Sequence, residues 1–405
     1  MSQLSRVAPH VAELPKSGIR KFFDIVAQSK DIVSLGVGEP DFDTPWHISR
    51  AAVTCLEDGG THYTSNLGTP ALRQAICRYL SRRFGAEYDW KDETLVTVGV
   101  SEAIDLAIRA ICSPGDEVLY HEPCFVSYAP TIRLAHAVPV CVETRAEDEF
   151  RLTVAALERK VSPKTKAVLL NFPCNPTGAV LGRDDMAAIL DFAERHDLLV
   201  LADEVYSELN YEAAERSAAA EDPSRAMCLP SFSAFPGHRG RVILLNGFSK
   251  SWAMTGYRLG YACGPADVVD AMMKIHQYGI MSAPTLSQAA GVEAMDRGDR
   301  DVDRMRREYR KRRDYLVSSV NAMGLKTVMP KGAFYVFCDI RSTGFGDEEF
   351  ALRLLKEFGV AVVPGSAFGA CGAGFVRMSY ATSLAKLRVA VERLGRMIAK
   401  YDQKV

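Results

Sequence analysis

Residues 242–260 read V-I-L-L-N-G-F-S-K-S-W-A-M-T-G-Y-R-L-G. An apolar run, Val242 to Leu245, is broken by Asn246-Gly247, and Ser249, Lys250 and Arg258 follow. A lysine just past the end of a buried strand loses solvation, and its pKa can fall from about 10.4 toward roughly 7. Each unit corresponds to about 1.36 kcal/mol, so a cationic neighbourhood must help impose the shift. A neutral amine of that kind is a nucleophile that forms imines with carbonyl compounds. Ser249 and Arg258 add a hydroxyl and a fork of donors that suit a phosphate. A lone Ser-Lys pair is more often a solvated turn, so the rest of the chain must support the reading.

Three further positions place a polar side chain where it needs a reason. Asp203 follows five apolar residues, Leu198 to Ala202. A carboxylate there is unfavourable unless paired, and a protonated pyridine nitrogen is one partner, a salt bridge or helix cap another. Arg377 lies within the alternating strand pattern V-R-M-S-Y, where a bidentate grip on a carboxylate would account for it. Asn175, in the turn N-P-T-G after A-V-L-L-N-F-P-C, falls near the carboxyl end of a strand, where open α/β sheets bind ligands.

Periodicity marks the strands and helices that carry these groups. T-L-V-T-V reads as a strand, Gly99 as a turn and S-E-A-I-D-L-A-I-R-A-I as a helix with Ile104, Ala107, Ile108 and Ile111 on one face. Ser101 stands at the start of that helix, where free N–H groups favour an anion. No G-K-[ST] follows, so this is not a Walker loop. Strands and helices alternate through residues 46–290, which predicts a parallel sheet covered on both faces. From about 291 the pattern changes to one long charged helix, expected to be solvated, and then to a smaller α+β unit with strands at G-A-F-Y-V-F-C-D-I, V-A-V-V-P-G and F-V-R-M-S-Y-A. Residues 1–45 form an arm that includes an amphipathic segment with Phe22, Phe23, Ile25 and Val26 and contributes part of the small domain. The expected division is 1–45, 46–290 and 291–405. Residues 212–240 read as a long surface loop.

S-K-x-x-x-M-T-G-x-R-x-G, from Ser249 to Gly260, resembles the lysine segment of class I/II pyridoxal-phosphate aminotransferases. G-x-G-x-P-D-F-x-T-P from Gly36, Y-x-x-x-x-G-x-x-x-L-R from Tyr63, N-P-T-G and F-V-R-x-S-Y-A-T extend the resemblance from Gly36 to Thr382. The chain is similar to the prokaryotic aspartate, aromatic and N-acetyl-diaminopimelate subgroup. The resemblance implies fold type I, with a seven-stranded, mostly parallel sheet in the large domain, and pyridoxal 5′-phosphate as cofactor. It implies that Lys250 holds the cofactor and moves a proton, that Asp203 faces the ring nitrogen, and that Tyr206 and Asn175 reach the phenolic oxygen. Ser101, Glu102 and Ala103, with Ser249 and Arg258, become the phosphate site, and Phe125 stacks on the ring. Tyr63 reaches the phosphate of a neighbouring subunit, which implies a homodimer with shared sites. Gly38, Val37, Ile19, Asn175 and Arg377 become substrate contacts. His121 receives no role.

The implied reaction is ping-pong transamination from an L-amino acid to a 2-oxo acid such as 2-oxoglutarate. The residue matching the lysine that aspartate-preferring relatives can carry is Ser101. The side-chain contacts Ile19, Val37 and Phe125 are apolar, so aromatic or large neutral donors, methionine included, are expected. Asn66, Tyr278 or the 212–240 loop are then left to accept the distal carboxylate of 2-oxoglutarate. A C–S β-lyase and a cyclopropane-forming synthase share every motif and stay open; a regulator fused to a DNA-binding domain does not fit the roughly 33 residues before the first motif.

Composition agrees with this class. The 405 residues carry 49 basic and 50 acidic side chains, a net charge of −1 that speaks against nucleic acid or an anionic membrane as partner. No signal-peptide pattern and no span-length apolar run occurs. The ten cysteines show no C-x-x-C pair and no Cys/His zinc spacing, so reduced thiols, no metal and a cytoplasmic location are expected.

Overall fold

The structure is a computed structural model in which residues 6–14, 31–213 and 228–402 are described. The amphipathic part of the arm, Ile19 included, and residues 214–227 of the long loop lie outside the described residues.

A seven-stranded sheet forms the centre of the molecule. Its strands are β2 (Thr94–Thr97), β3 (Glu117–Glu122), β4 (Val138–Glu143), β5 (Thr165–Asn171), β6 (Leu199–Asp203), β7 (Val242–Gly247) and β8 (Gly260–Cys263), in the spatial order β2-β8-β7-β6-β5-β3-β4. Neighbours pair in parallel except across β8, which runs against both β2 and β7. This is the mostly parallel, fold-type-I arrangement. Every residue of β7 is buried because both sheet faces are covered. Ile243 and Leu245 pack beside Ile104, Ala107 and Ile108 of the helix Gly99–Ile111. Leu244 packs on the opposite side with Leu72 and Ile76 of the helix Pro70–Phe84. Alternate residues of one strand thus enter separate cores, as the two-residue period requires. Each such Leu or Ile contributes about 1.5–3 kcal/mol of burial.

A second, smaller set of strands sits beside the carboxyl ends of this sheet. β9 (Tyr335–Asp339), β11 (Val363–Pro364) and β12 (Phe375–Ser379) form an antiparallel sheet with β12 in the middle. β1 (Val33–Ser34) pairs in parallel with β10 (Val360–Ala361), so the segment just after the arm joins the C-terminal part of the chain. The V-A-V-V-P-G run, expected as one strand, is split between β10 and β11. Helices Asp299–Ala322, Asp347–Phe358 and Leu384–Asp402 supply Leu316, Phe350 and Leu387 to one shared core with Val336 and Val376.

Two sequence expectations need correction here. The charged stretch from about 291 is two helices, Thr285–Arg297 and Asp299–Ala322, separated at Gly298. The second is not simply solvated: Arg312 and Arg313 are buried. Arg312 Nη1 reaches both oxygens of Asp41 at 2.7 and 2.9 Å, and its guanidinium lies 5.1 Å from the Phe42 ring. A buried arginine is tolerated because its charge is paired and its planar group is stacked.

Candidate active site

The carboxyl ends of β5, β6 and β7, the start of the helix Gly99–Ile111 and the strand β12 converge on one cavity of ≈ 410 Å³. Its lining includes Val37, Gly38, Ser101, Phe125, Asn175, Asp203, Tyr206, Ser249, Lys250, Arg258 and Arg377. These eleven sequence-derived candidates come from segments as far apart as residues 37 and 377, and folding brings them together.

Lys250 lies in the single turn Phe248–Ser251 that follows β7 directly. Its Nζ donates to the Gly38 carbonyl at 2.7 Å. Burial lowers the ammonium pKa to about 8; Arg377 and Arg258 push the same way, while Glu39 and Asp203 oppose them. The amine is therefore partly neutral near physiological pH, the condition for acting as a nucleophile or base.

Asp203 is the last residue of β6 and is buried. Burial raises its carboxyl to about 6. Tyr128 O–H donates to its Oδ2 at 2.6 Å and the Val205 N–H to its Oδ1 at 3.2 Å, both favouring the carboxylate. Beside it, Asn171 Nδ2 donates to the Asp203 carbonyl at 3.0 Å, and Asn171 Oδ1 accepts the Asn175 N–H at 3.0 Å. His121 is buried against Phe172, and burial lowers it to about 4, so it stays neutral and its Nε2 accepts the Asn171 N–H.

Arg377, in the central strand β12, is 3% exposed. One Nη donates to Asn175 Oδ1 at 2.9 Å and the other to the Gly36 carbonyl at 2.6 Å. The guanidinium lies 4.4 Å from the Tyr335 ring and 4.8 Å from the Phe368 ring. Its Nε has no hydrogen-bond partner among the described residues. A side chain on Gly38 would put its Cβ 2.9 Å from the Tyr335 hydroxyl and 3.8 Å from both Nη atoms, so only glycine leaves room for a small ligand here. Tyr206 and Tyr335 share a 2.8 Å hydrogen bond between hydroxyls, and burial holds both phenols neutral.

Arg258 adopts a left-handed conformation, φ 51°, and Nη1 donates to the Thr255 carbonyl at 3.0 Å. It lies against Gly99, the first residue of the helix, at φ 77°; a Cβ there would stand 2.8 Å from Arg258 Nη2. A cation held against the positive end of a helix is repelled unless an anion sits between them. Ser101 and Ser249 offer hydroxyls beside that position.

Among the described residues, then, Lys250, Arg258, Arg377 and Asp203 face the cavity without an ion-pair partner. An anion at the helix start, a protonated ring nitrogen at Asp203, a carbonyl carbon at Lys250 and a carboxylate at Arg377 would complete them. Pyridoxal phosphate with an amino acid offers all four, and Phe125, edge-on to Tyr128 at 5.8 Å, adds an aromatic wall. The residues fit the cofactor.

Not every candidate reaches the cavity. The Glu102 carboxylate turns back to accept the Val98 N–H and pairs with His276 Nδ1 at 2.7 Å, so it caps its own helix. Ala103 is buried in the core behind the turn. Tyr63 is 83% exposed and does not line the cavity within one chain. Asn66 Nδ2 donates to the Met281 carbonyl at 2.7 Å, and Tyr278 is 89% exposed; neither lines the cavity. Sequence reasoning missed Tyr128, Asn171, Tyr335, Glu39 and Thr255. The neighbourhood of Tyr128 and Tyr335 with Asp203 and Arg377 has no local signal, although both lie in apolar patterns that mark them as core.

The family model for aminotransferase class I and II matches residues 30–394. A putative aminotransferase, YugH, of Bacillus subtilis is 46% identical over 98% of this chain and 99% of its own length. An aspartate aminotransferase of Pyrococcus abyssi is 44% identical, covering 94% of this chain and 95% of the relative. The crystal structure of an aromatic aminotransferase from Pyrococcus horikoshii superposes with a TM-score of 0.86 at 43% identity, covering 94% of this chain and 99% of the other. With the cavity's chemistry, these likenesses show that the chain belongs to the class I and II aminotransferases, enzymes whose cofactor is pyridoxal 5′-phosphate.

Proposed function

We propose that this aminotransferase takes the amino group from L-amino acids with aromatic or large neutral side chains and delivers it to 2-oxoglutarate by a ping-pong route. Arg377 carries the reading: a buried guanidinium without an acidic partner among the described residues, within reach of Gly38, is suited to an α-carboxylate. Pyridoxal phosphate supplies the electron sink for charge developing at the substrate's Cα. Lys250 Nζ takes and returns the Cα proton. Asp203, oriented by Tyr128, keeps the ring nitrogen protonated, and Tyr206 and Asn175 donate toward the phenolic oxygen. Ser101, Ser249 and Arg258 bind the phosphate.

The side-chain preference rests on the lining residues Val37, Val100, Ile104, Phe125 and Tyr128. Burying a Phe or Met side chain there is worth about 1.5–3 kcal/mol, whereas a carboxylate left without a cation is penalised. The relatives point both ways, one named for aspartate and one for aromatic amino acids. The exposure of Tyr63 and Tyr278 supports a homodimer in which Tyr63 completes the partner's phosphate site. The pairing of β1 with β10 supports assigning part of segment 1–45 to the small domain, although the boundary drawn at 290 falls within the helix Thr285–Arg297. All ten cysteines are free, which supports a reducing cytoplasmic location, and among the described residues no helix is long and apolar enough to cross a membrane.

Half-reaction spectra with a panel of amino acids test the proposal. Phenylalanine and methionine should convert the cofactor faster than aspartate. Aspartate outpacing both by tenfold overturns the side-chain preference, and pyruvate with ammonia released in the absence of any 2-oxo acid overturns transamination in favour of β-elimination.

A further inference from the structure

Away from the cavity, three side chains distant in sequence meet at the outer edge of the large sheet. Glu122 ends β3, Cys141 lies on the edge strand β4, and Cys371 lies in the turn Ala370–Gly372. The two sulfur atoms and a carboxylate oxygen lie within 4.8 Å of one another, and all three residues are half-buried. Parallel pairing aligns Tyr120 with Cys141 and Glu122 with Glu143, so these four side chains point to one face of the sheet. The turn is fastened to the same face, because the Ala370 N–H donates to Glu122 Oε2 at 3.0 Å. Tyr120 O–H donates to Glu122 Oε1 at 2.7 Å, which orients the carboxylate.

We propose that Glu122, Cys141 and Cys371 form a binding site for a thiophilic divalent cation of the zinc class, with water as fourth ligand. Two sulfurs and one oxygen are a donor set that zinc accepts, and tetrahedral bonds of about 2.3 Å to sulfur and 2.0–2.2 Å to oxygen put neighbouring ligands roughly 3.3–3.8 Å apart. The observed spacing reaches this with side-chain adjustments of about an ångström. The partners of Glu122, Tyr120 O–H and the Ala370 N–H, are outer contacts of the kind that orient metal-binding carboxylates. Binding releases the two thiol protons to solvent.

The bound ion would tie the edge strand to the segment that leads into β12. Phe368 precedes the turn, its carbonyl accepts the Cys124 N–H at 3.1 Å, and its ring stacks on Arg377. Occupancy would therefore stiffen one wall of the candidate active site from outside it.

The test uses the holoenzyme equilibrated at micromolar free zinc, with metal analysis and mass-spectrometric mapping of iodoacetamide-modified cysteines. One zinc per chain is expected, and zinc should slow alkylation of Cys141 and Cys371 at least tenfold while leaving exposed Cys228 unprotected. Cys141→Ser/Cys371→Ser should lose the zinc and keep normal turnover; Cys371→Ser alone should weaken binding at least tenfold and serves if the double variant does not fold. Equal zinc in the double variant overturns the proposal, because it places the ion elsewhere, for instance at Asp191, Glu194 and His238. No retained zinc, or a Cys141–Cys371 disulfide in place of bound zinc, overturns it as well.

Discussion

Replacing Asp203 with Asn should make the cofactor-free protein more stable above pH 6 while lowering the turnover of the holoenzyme. Burial raises the Asp203 carboxyl to about 6 from a reference of 3.8, so the folded chain binds this proton more tightly than the unfolded one. The favourable contribution is complete below about pH 3.8 and is lost as pH rises toward 6; above that, the ionised group is a net penalty. This difference corresponds to about 3 kcal/mol at pH 8 and about 1 kcal/mol at pH 4.5. Asparagine is neutral throughout and can still accept from Tyr128, although its amide loses the Val205 N–H bond, a cost of about 1–2 kcal/mol at any pH. The stability difference, Asn minus Asp, should therefore grow by about 2 kcal/mol between pH 4.5 and 8, with a net gain of about 1–2 kcal/mol at pH 8. Urea denaturation of cofactor-stripped protein at the two pH values measures it. A difference that does not change with pH, or an Asn variant less stable at pH 8, would refute the account of Asp203 as an unpaired buried acid. Near-normal turnover in the holoenzyme would show instead that Asp203 is a structural cap.

Three other expectations follow from the same geometry. Lys250→Ala should retain cofactor but lose turnover, and borohydride should attach the wild-type chromophore to the Lys250 peptide; a label on another lysine defeats the assignment. Arg377→Lys loses the two-pronged geometry and a charge-assisted hydrogen bond worth roughly 1.5–3 kcal/mol, so kcat/KM should fall about 10–150-fold, mainly through KM; unchanged kinetics would show that the guanidinium does not bind substrate. Mixing Tyr63→Ala with Lys250→Ala subunits should restore activity, because one site per hybrid combines the first chain's Lys250 with the second chain's Tyr63; a fully active monomer by sedimentation ends the shared-site idea.

Most strands of the large sheet, and the residues at their ends, were legible in the order of the side chains alone. Val242–Leu245 and Leu198–Ala202 are apolar runs too short for helices, and burying both faces of a parallel strand demands such runs. Because parallel strands align their carboxyl ends, Lys250, Asp203 and Asn175 were bound to approach one rim once the strands paired. The helix Gly99–Ile111 was legible for a related reason, since its apolar residues repeat at the helical period.

What each group meets depends on segments far away in the chain. Tyr128 O–H finds Asp203 across 75 residues and Tyr206 finds Tyr335 across 129, and no local period encodes a contact of that range. The same holds for Arg312, whose place in a charged run reads as solvated until Asp41 and Phe42 pack against it. Glu102 shows a mixture: its carboxylate reaches back four residues to the Val98 N–H, a local capping pattern, and across 174 residues to His276, a contact no local period encodes. Cys141 and Cys371 are 230 positions apart and carry no spacing motif; pairing β4 with β3 and docking the Ala370–Gly372 turn on Glu122 bring them together. Side-chain type and spacing record what a segment must bury, whereas partner, charge balance and pKa depend on which segments fold against it.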